Sequence, residues 1–212
     1  MTEIIKLAEN ENLAGETLHR LAKAAQACKM IVFPTDTVYG LGSTGLIKAA
    51  SRKIYQIKQR NALKPLPILV KSTAEAKLWA QWTPAADLLA EKFWPGALTL
   101  VLKPTDEGRI LTFAEYPTIA LRVPAHPVIL ALLEASDIPW VATSANISGK
   151  PPCADGKAAG DQFQGTADFV IDAGPGGGRE STLVDASALP VRILREGAIS
   201  SADILSALKQ SP

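Results

Sequence analysis

The chain has 212 residues, 47% of them hydrophobic and 20% charged, with 22 Lys and Arg against 21 Asp and Glu for a formal charge of +1. That composition excludes a disordered or fibrous chain and suits a single globular domain over residues 1–212, large enough to fold without disulfides or metal clips. A near-neutral balance argues against a surface built to coat nucleic acid or an anionic membrane, so any basic site must be local. Cys28 and Cys153 stand far apart with no CxxC spacing, which fits a reducing compartment and gives no metal signature. The N-terminus shows no basic-then-apolar leader, and the apolar runs are about a strand long, so the expected location is the cytoplasm.

Helical and strand periods alternate along the chain. Leu18, Leu21, Ala25 and Cys28 share one face of a first helix, and a strand is expected at 31–33. Ala50, Ile54 and Ile57 line a second helix, followed by a strand at 67–70. Thr83 before Pro84 is a capping hydroxyl ahead of a proline at the first helical position, with Leu88, Leu89 and Phe93 pointing inward. Strands at 98–102 and 119–121, a helix at 128–133, and strands at 140–142, 169–171, 183–184 and 191–194 follow. Ser200 and Asp203 start a last helix whose apolar side carries Ile204, Leu205 and Leu208. Several strands lack strict alternation, as strands buried on both faces do, and the interleaving predicts an α/β domain.

Gly40-Leu41-Gly42-Ser43-Thr44-Gly45 matches a dinucleotide-binding GxGxxG, but six residues separate it from the preceding strand, and no Asp or Glu occurs between Thr37 and Ala74 to take a ribose. Gly149-Lys150 likewise lacks the spacing and the hydroxyl of a P-loop. The same acid-free stretch holds Lys48, Arg52, Lys53, Lys58, Arg60, Lys64 and Lys71, which reads either as a solvated helix face or as a local positive field. Lys58 and Arg60 fall where the second helix should end; in extended backbone an i,i+2 pair points one way and can grip two phosphate oxygens.

Ser144 and Asn146 have the same spacing at the carboxyl end of a strand, where α/β sheets collect ligands, although a simple Ser or Asx turn would use the same residues. Arg122 and Arg195 each end a strand and suit anion recognition. His19 and His126 have no partner at metal-ligand spacing, and no nucleophile elbow is present. Phosphate chemistry by positioning and charge is the reaction class these residues fit.

Several blocks in order carry a resemblance: Pro34-Thr35-Asp36-Thr37-Val38-Tyr39-Gly40-Leu41-Gly42, Lys58-Gln59-Arg60, Trp94-Pro95-Gly96-Ala97-Leu98-Thr99, Leu121-Arg122-Val123-Pro124, Thr143-Ser144-Ala145-Asn146-Ile147-Ser148-Gly149, Ser181-Thr182-Leu183-Val184-Asp185 and Arg195-Glu196-Gly197. Together, over about residues 12–200, they resemble the YrdC/TsaC family in its short, single-domain form. The resemblance implies an α/β twisted sheet with a concave basic cleft. It also implies L-threonylcarbamoyladenylate synthase activity: L-threonine, bicarbonate and ATP give threonylcarbamoyl-AMP and pyrophosphate, for threonylcarbamoyladenosine in tRNA.

Carried over by position, Lys58, Arg60, Ser144 and Asn146 match the family's catalytic tetrad around phosphates and carbamate. Thr35, Arg122 and Ser181 match the threonine site, with Arg122 on the carboxylate. Thr118 and Arg195 match nucleotide contacts, and the Gly40–Gly45 segment lets backbone approach a ligand. Mg2+ is expected to arrive with ATP and to have no protein-only cage. Asn61 replaces the proline that usually follows the Lys-x-Arg. The implied partners are the substrates, possible tRNA or double-stranded RNA, and downstream tRNA-modification proteins. Two other readings stay open: a non-catalytic RNA-binding protein using the basic cleft, and a paralogue acting on another small acid.

Overall fold

Alternation and capping account for most of the backbone. The computed structural model describes residues 1–8, 11–59, 61, 65–113 and 116–209. In chain order its elements are β1 (Glu3–Lys6), α1 (Gly15–Gln26), β2 (Ile31–Phe33), β3 (Gly40–Thr44), α2 (Lys48–Lys58), β4 (Ile68–Leu69), α3 (Thr73–Trp79), β5 (Ala80–Gln81), α4 (Pro84–Phe93), β6 (Leu98–Pro104), β7 (Ile119–Arg122), α5 (Pro127–Ser136), β8 (Trp140–Ser144), α6 (Gly156–Phe163), β9 (Phe169–Asp172), β10 (Thr182–Asp185), β11 (Arg192–Arg195) and α7 (Ser201–Lys209). Thr83 caps α4 by accepting from the Ala86 N–H at 3.2 Å, and Ser200 does the same for Asp203 at 3.1 Å ahead of α7. Each expected strand and helix is found.

The strands form one mixed sheet in the order β1-β9-β2-β3-β8-β4-β7-β6-β10-β11, with β5 added beside β6. Period 2 then divides their side chains between two faces. One face, with Leu98, Leu100, Leu102, Ile119, Leu121, Val141 and Val184, is buried under α2, α3, α4, α6 and α7. The opposite face carries Ile31, Phe33, Leu69, Trp140 and Ile171, and only its β9-β2-β8-β4 part is covered, by Leu21 and Ala25 of α1 and Ile129, Leu132 and Leu133 of α5. Beyond that cover the face lies open over β7, β6, β10 and β11.

Three local expectations change. The GxGxxG segment is a strand, β3, which pairs antiparallel with both β2 and β8. A Cβ on Gly40 would lie 2.7 Å from the Phe33 ring, and one on Gly42 would lie 2.7 Å from the Val141 carbonyl. These glycines admit a ring and a neighbouring strand. Cys28 falls beyond the end of α1 with φ 59 instead of continuing its apolar face. Leu205 is 50% exposed, because Ile204 and Ala207 take the buried side of α7. No described helix is long and apolar enough to cross a membrane.

Candidate active site

The open part of the face is a cavity of about 270 Å3. Alternate residues of adjacent strands form its floor: Thr99 and Val101 of β6, Thr118, Ala120 and Arg122 on and before β7, and Ser181 and Leu183 at β10. Gly40 and Ala142 widen it where β3 and β8 pass. Small and hydroxyl-bearing side chains at inward positions leave volume where leucines would have made a core.

Arg122 ends β7 and is 6% exposed. Its Nε donates to the Gly96 carbonyl at 2.9 Å, one Nη to the Thr37 hydroxyl at 2.9 Å and the other to Asp36 Oδ1 at 2.8 Å. Asp36 Oδ1 also accepts from the Ala125 N–H at 3.0 Å. Burial pushes Arg122 below its ordinary value, and the Asp36 carboxylate opposes that, keeping the guanidinium charged. Three of its five N–H groups are thus used inside the protein, leaving two.

The hydroxyl polarity beside it follows from counting protons. Thr35 donates to the Val38 carbonyl at 2.7 Å, so Thr37, 3.0 Å away, donates to Thr35 and accepts from Arg122. Thr35 also accepts from the Thr37 N–H at 3.1 Å. Thr35 lines the cavity with its hydroxyl fully engaged in holding the 34–39 loop.

On the other side, the Ser181 and Thr99 hydroxyls lie 2.8 Å apart. Arg195, at the end of β11, donates from Nη2 to the Ser181 carbonyl at 2.9 Å and from Nη1 to Glu180 Oε2 at 2.6 Å. Arg195 also raises the local positive potential enough to disfavour the Arg122 cation slightly.

A second lobe of about 310 Å3 adjoins the first, lined by Lys58, Asn61, Asn146, Ser148 and Lys150, with Ser144 and Glu180 shared by both lobes. Lys58 is the last residue of α2, and its side chain is 1% exposed. Its ammonium donates to the Ser144 carbonyl and, at 2.9 Å, to Asn146 Oδ1. The Ser144 hydroxyl donates to the same Oδ1 at 2.6 Å, while Asn146 Nδ2 donates to the carbonyls of Ile147 at 3.2 Å and Lys150 at 2.5 Å. A buried cation, a hydroxyl and an amide are therefore locked together at the junction of two anion-sized spaces. Among the described residues, no three His, Cys, Asp or Glu side chains cluster closely enough to hold a metal ion.

Residues 23–197 match the Sua5/YciO/YrdC family model, described as "Telomere recombination". The chain belongs to the Sua5/YciO/YrdC family. It is 39% identical over 173 residues to the threonylcarbamoyl-AMP synthase of Pyrococcus abyssi, an alignment covering 81% of this chain and 51% of that protein. It is 31% identical over 192 residues to the threonylcarbamoyl-AMP synthase of Escherichia coli, covering 89% of this chain and 100% of that one. The crystal structure of P. abyssi Sua5 complexed with L-threonine superposes with a TM-score of 0.90 at 36% identity, over 98% of this chain and 61% of that chain. The chain thus spans about half the length of the Pyrococcus relative.

Within this family fold, Thr35, Thr118, Arg122, Ser144, Ser181 and Arg195 come together around the deep lobe, and Lys58, Ser144 and Asn146 around its neighbour. Arg60 lies outside the described residues. The extended geometry expected at 58–60 does not hold at its start: Lys58 is helical and Gln59 is left-handed, with φ 51. Nor is the acid-free strip one positive field. Lys48 donates to the Ile110 and Thr112 carbonyls, Lys53 to the Cys28 carbonyl at 3.1 Å, and Lys71 pairs with Asp137 and Glu134. Lys64, like Arg60, lies outside the described residues.

Sequence reasoning missed Asp36 and Thr37 as the partners that hold Arg122, and Glu180 as a wall of both lobes. Asp36 was visible only as part of a polar block beside the glycines; nothing local couples it to an arginine 86 residues away. His126 caps α5, its Nδ1 accepting from the Val128 N–H at 3.2 Å.

Proposed function

We propose that this chain condenses L-threonine, bicarbonate and ATP into L-threonylcarbamoyl-AMP with release of pyrophosphate, for transfer of the threonylcarbamoyl group to adenosine in tRNA. The observation that carries this reading is the joining of two anion sites through shared residues: a deep lobe ending on a buried, half-saturated arginine, and a groove built on Lys58, Ser144 and Asn146. The synthase names of its relatives and the threonine complex of P. abyssi Sua5 support the same assignment.

In this reading the two remaining N–H groups of Arg122 take the threonine carboxylate as a fork. Ser181 and the Thr35 loop shape the space for its side chain, and Thr118 and Arg195 border the nucleotide. The amine loses a proton and attacks carbon dioxide, or attacks bicarbonate with loss of water, giving a carbamate that bulk water would rapidly destroy. The walled lobe protects it. A carbamate oxygen then attacks the α-phosphorus and pyrophosphate leaves. Lys58, with Arg60 expected beside it, stabilises the charge that grows on the bridging oxygen, and Ser144 and Asn146 hold the ammonium of Lys58 in place for that role. Glu180 is the one carboxylate among the described groove residues, so a magnesium ion would be carried mainly by the triphosphate, neutralising part of its charge.

Pyrophosphate release from ATP, measured with threonine plus bicarbonate, with serine in place of threonine, and with no amino acid, tests the assignment. Release should require bicarbonate and be fastest with threonine; release indifferent to the amino acid would refute it.

A further inference from the structure

The glycine run Gly174-Pro175-Gly176-Gly177-Gly178 lies between β9 and β10, and none of it is among the described residues that line either lobe. Gly174 and Gly178 are left-handed, with φ 82 and 83, whereas Gly177 is not. Its missing side chain serves space instead. A Cβ there would lie 2.5 Å from the Thr37 carbonyl oxygen and 2.9 Å from that of Asp36. Nonbonded carbon and oxygen ordinarily keep about 3.3 Å apart, so any side chain would part the two segments by roughly 0.8 Å. The run cannot retreat freely. The Gly176 N–H donates to the Ala154 carbonyl at 2.8 Å and the Gly156 N–H to the Gly174 carbonyl at 3.2 Å. The hydroxyl of Tyr39, a buried residue, donates to that same Gly174 carbonyl at 2.8 Å and accepts from the Ala173 N–H at 3.1 Å. Much of the displacement would therefore fall on Asp36 and Thr37, the two residues whose side chains hold the Nη atoms of Arg122.

We propose that Gly177 is a positioning residue for the amino-acid substrate, seating Asp36 and Thr37 at the depth from which they aim the two free N–H groups of Arg122 into the lobe. This rests on the function proposed above. The guanidinium is planar, so three bonds fix its direction: Nε to the Gly96 carbonyl at 2.9 Å, and the two Nη to the Thr37 hydroxyl at 2.9 Å and Asp36 Oδ1 at 2.8 Å. Gly96 belongs to a separate segment. A shift of Asp36 and Thr37 alone therefore turns the guanidinium plane about the Gly96 anchor. A carboxylate held through two parallel N–H bonds tolerates little such turning, because both bonds depend on angle as well as distance. The described residues of the phosphate groove include none from 34–39, which sets the effect apart from the grip on the triphosphate.

Steady-state kinetics of pyrophosphate release by the full chain test this positioning role. Gly177→Ala should raise KM for L-threonine about tenfold or more and leave KM for ATP unchanged. Thr37→Val removes the acceptor for one Nη without adding bulk at Gly177 and should give the same split; Thr37→Ser, which restores the hydroxyl, should recover most of the loss. A folded Gly177→Ala that leaves both KM values unchanged, or raises both alike, overturns the proposal. If melting curves show that Gly177→Ala does not fold, Thr37→Val carries the test: an unchanged KM for threonine there removes the route by which Gly177 acts and overturns the proposal equally. If the unaltered chain releases no pyrophosphate in response to threonine, the functional reading itself fails and this one with it.

Discussion

One sheet face meets two fates. Under α1 and α5 its inward positions are Phe33, Leu69, Trp140 and Ile171, large and apolar, and they interlock; the Phe33 and Trp140 rings meet edge to face at 5.6 Å. A few strands away the equivalent positions are Thr99, Thr118, Ala120 and Ser181, and no described helix covers them. The strands have the same period in both regions. What differs is side-chain volume and the number of hydroxyls, so one region closes into core and the other remains a cleft with a partly apolar floor. Phe33, Leu69 and Ala142 belong to both, which ties the stability of the covered half to the shape of the open one.

Substitutions can separate the halves. The largest effect is expected in the groove: Lys58→Ala removes the cation locked between Ser144 and Asn146 and should cut threonine-dependent pyrophosphate release by about a hundredfold or more, with circular dichroism checking the fold. In the covered half, Trp140→Ala empties a fully buried site and leaves the Ser136 hydroxyl without its indole donor; urea denaturation should show a loss of about 3–5 kcal/mol. Ala120→Leu fills the open half instead. It should lower turnover about tenfold or more while stability stays within about 1 kcal/mol, since the added atoms enter cavity rather than core. The contrast between the halves fails if Ala120→Leu destabilises as Trp140→Ala does.

The smallest effect sharpens the boundary between them, where His126 caps α5 beside the Asp36 loop. Burial pushes its imidazole below the ordinary value of about 6.5, with the Asp36 charge pulling the other way. The unfolded chain therefore takes the proton first, so stability is full above about pH 6.5 and falls as pH drops through the folded value. His126→Asn keeps an acceptor for the helix N-terminus and should flatten that slope in melting curves taken between pH 7 and pH 5, taken as about the titration range of an unpaired histidine.

Strands rich in branched and apolar residues were legible because their signal is local. β1 was not: it is a four-residue edge strand, Glu3-Ile4-Ile5-Lys6, with one partner, β9, and no fully buried position to mark it. β3 was hidden by its glycines, which weaken strand propensity and are tolerated because Phe33 and Val141 need the space. α3 and α6, at seven and eight residues, are too short for a clear 3.6 period and depend on tertiary packing. At the site, the strand-terminal arginines and the Ser144-Ala145-Asn146 block stood out, whereas Asp36 and Glu180 did not.

The amino-acid sequence by itself determined where chains turn, cap and alternate, and therefore which residues end strands with charged or hydroxyl groups. Those are matters of local backbone and side-chain period. Which charges meet was decided only by the tertiary structure. Lys71, from the acid-free strip, is drawn to Asp137 on the outside, and Arg122 is held by Asp36, while Lys58 turns inward to Ser144 and Asn146. Electrostatic and hydrogen-bond partners are chosen by distance in space, which the crossing of strands sets and sequence separation does not.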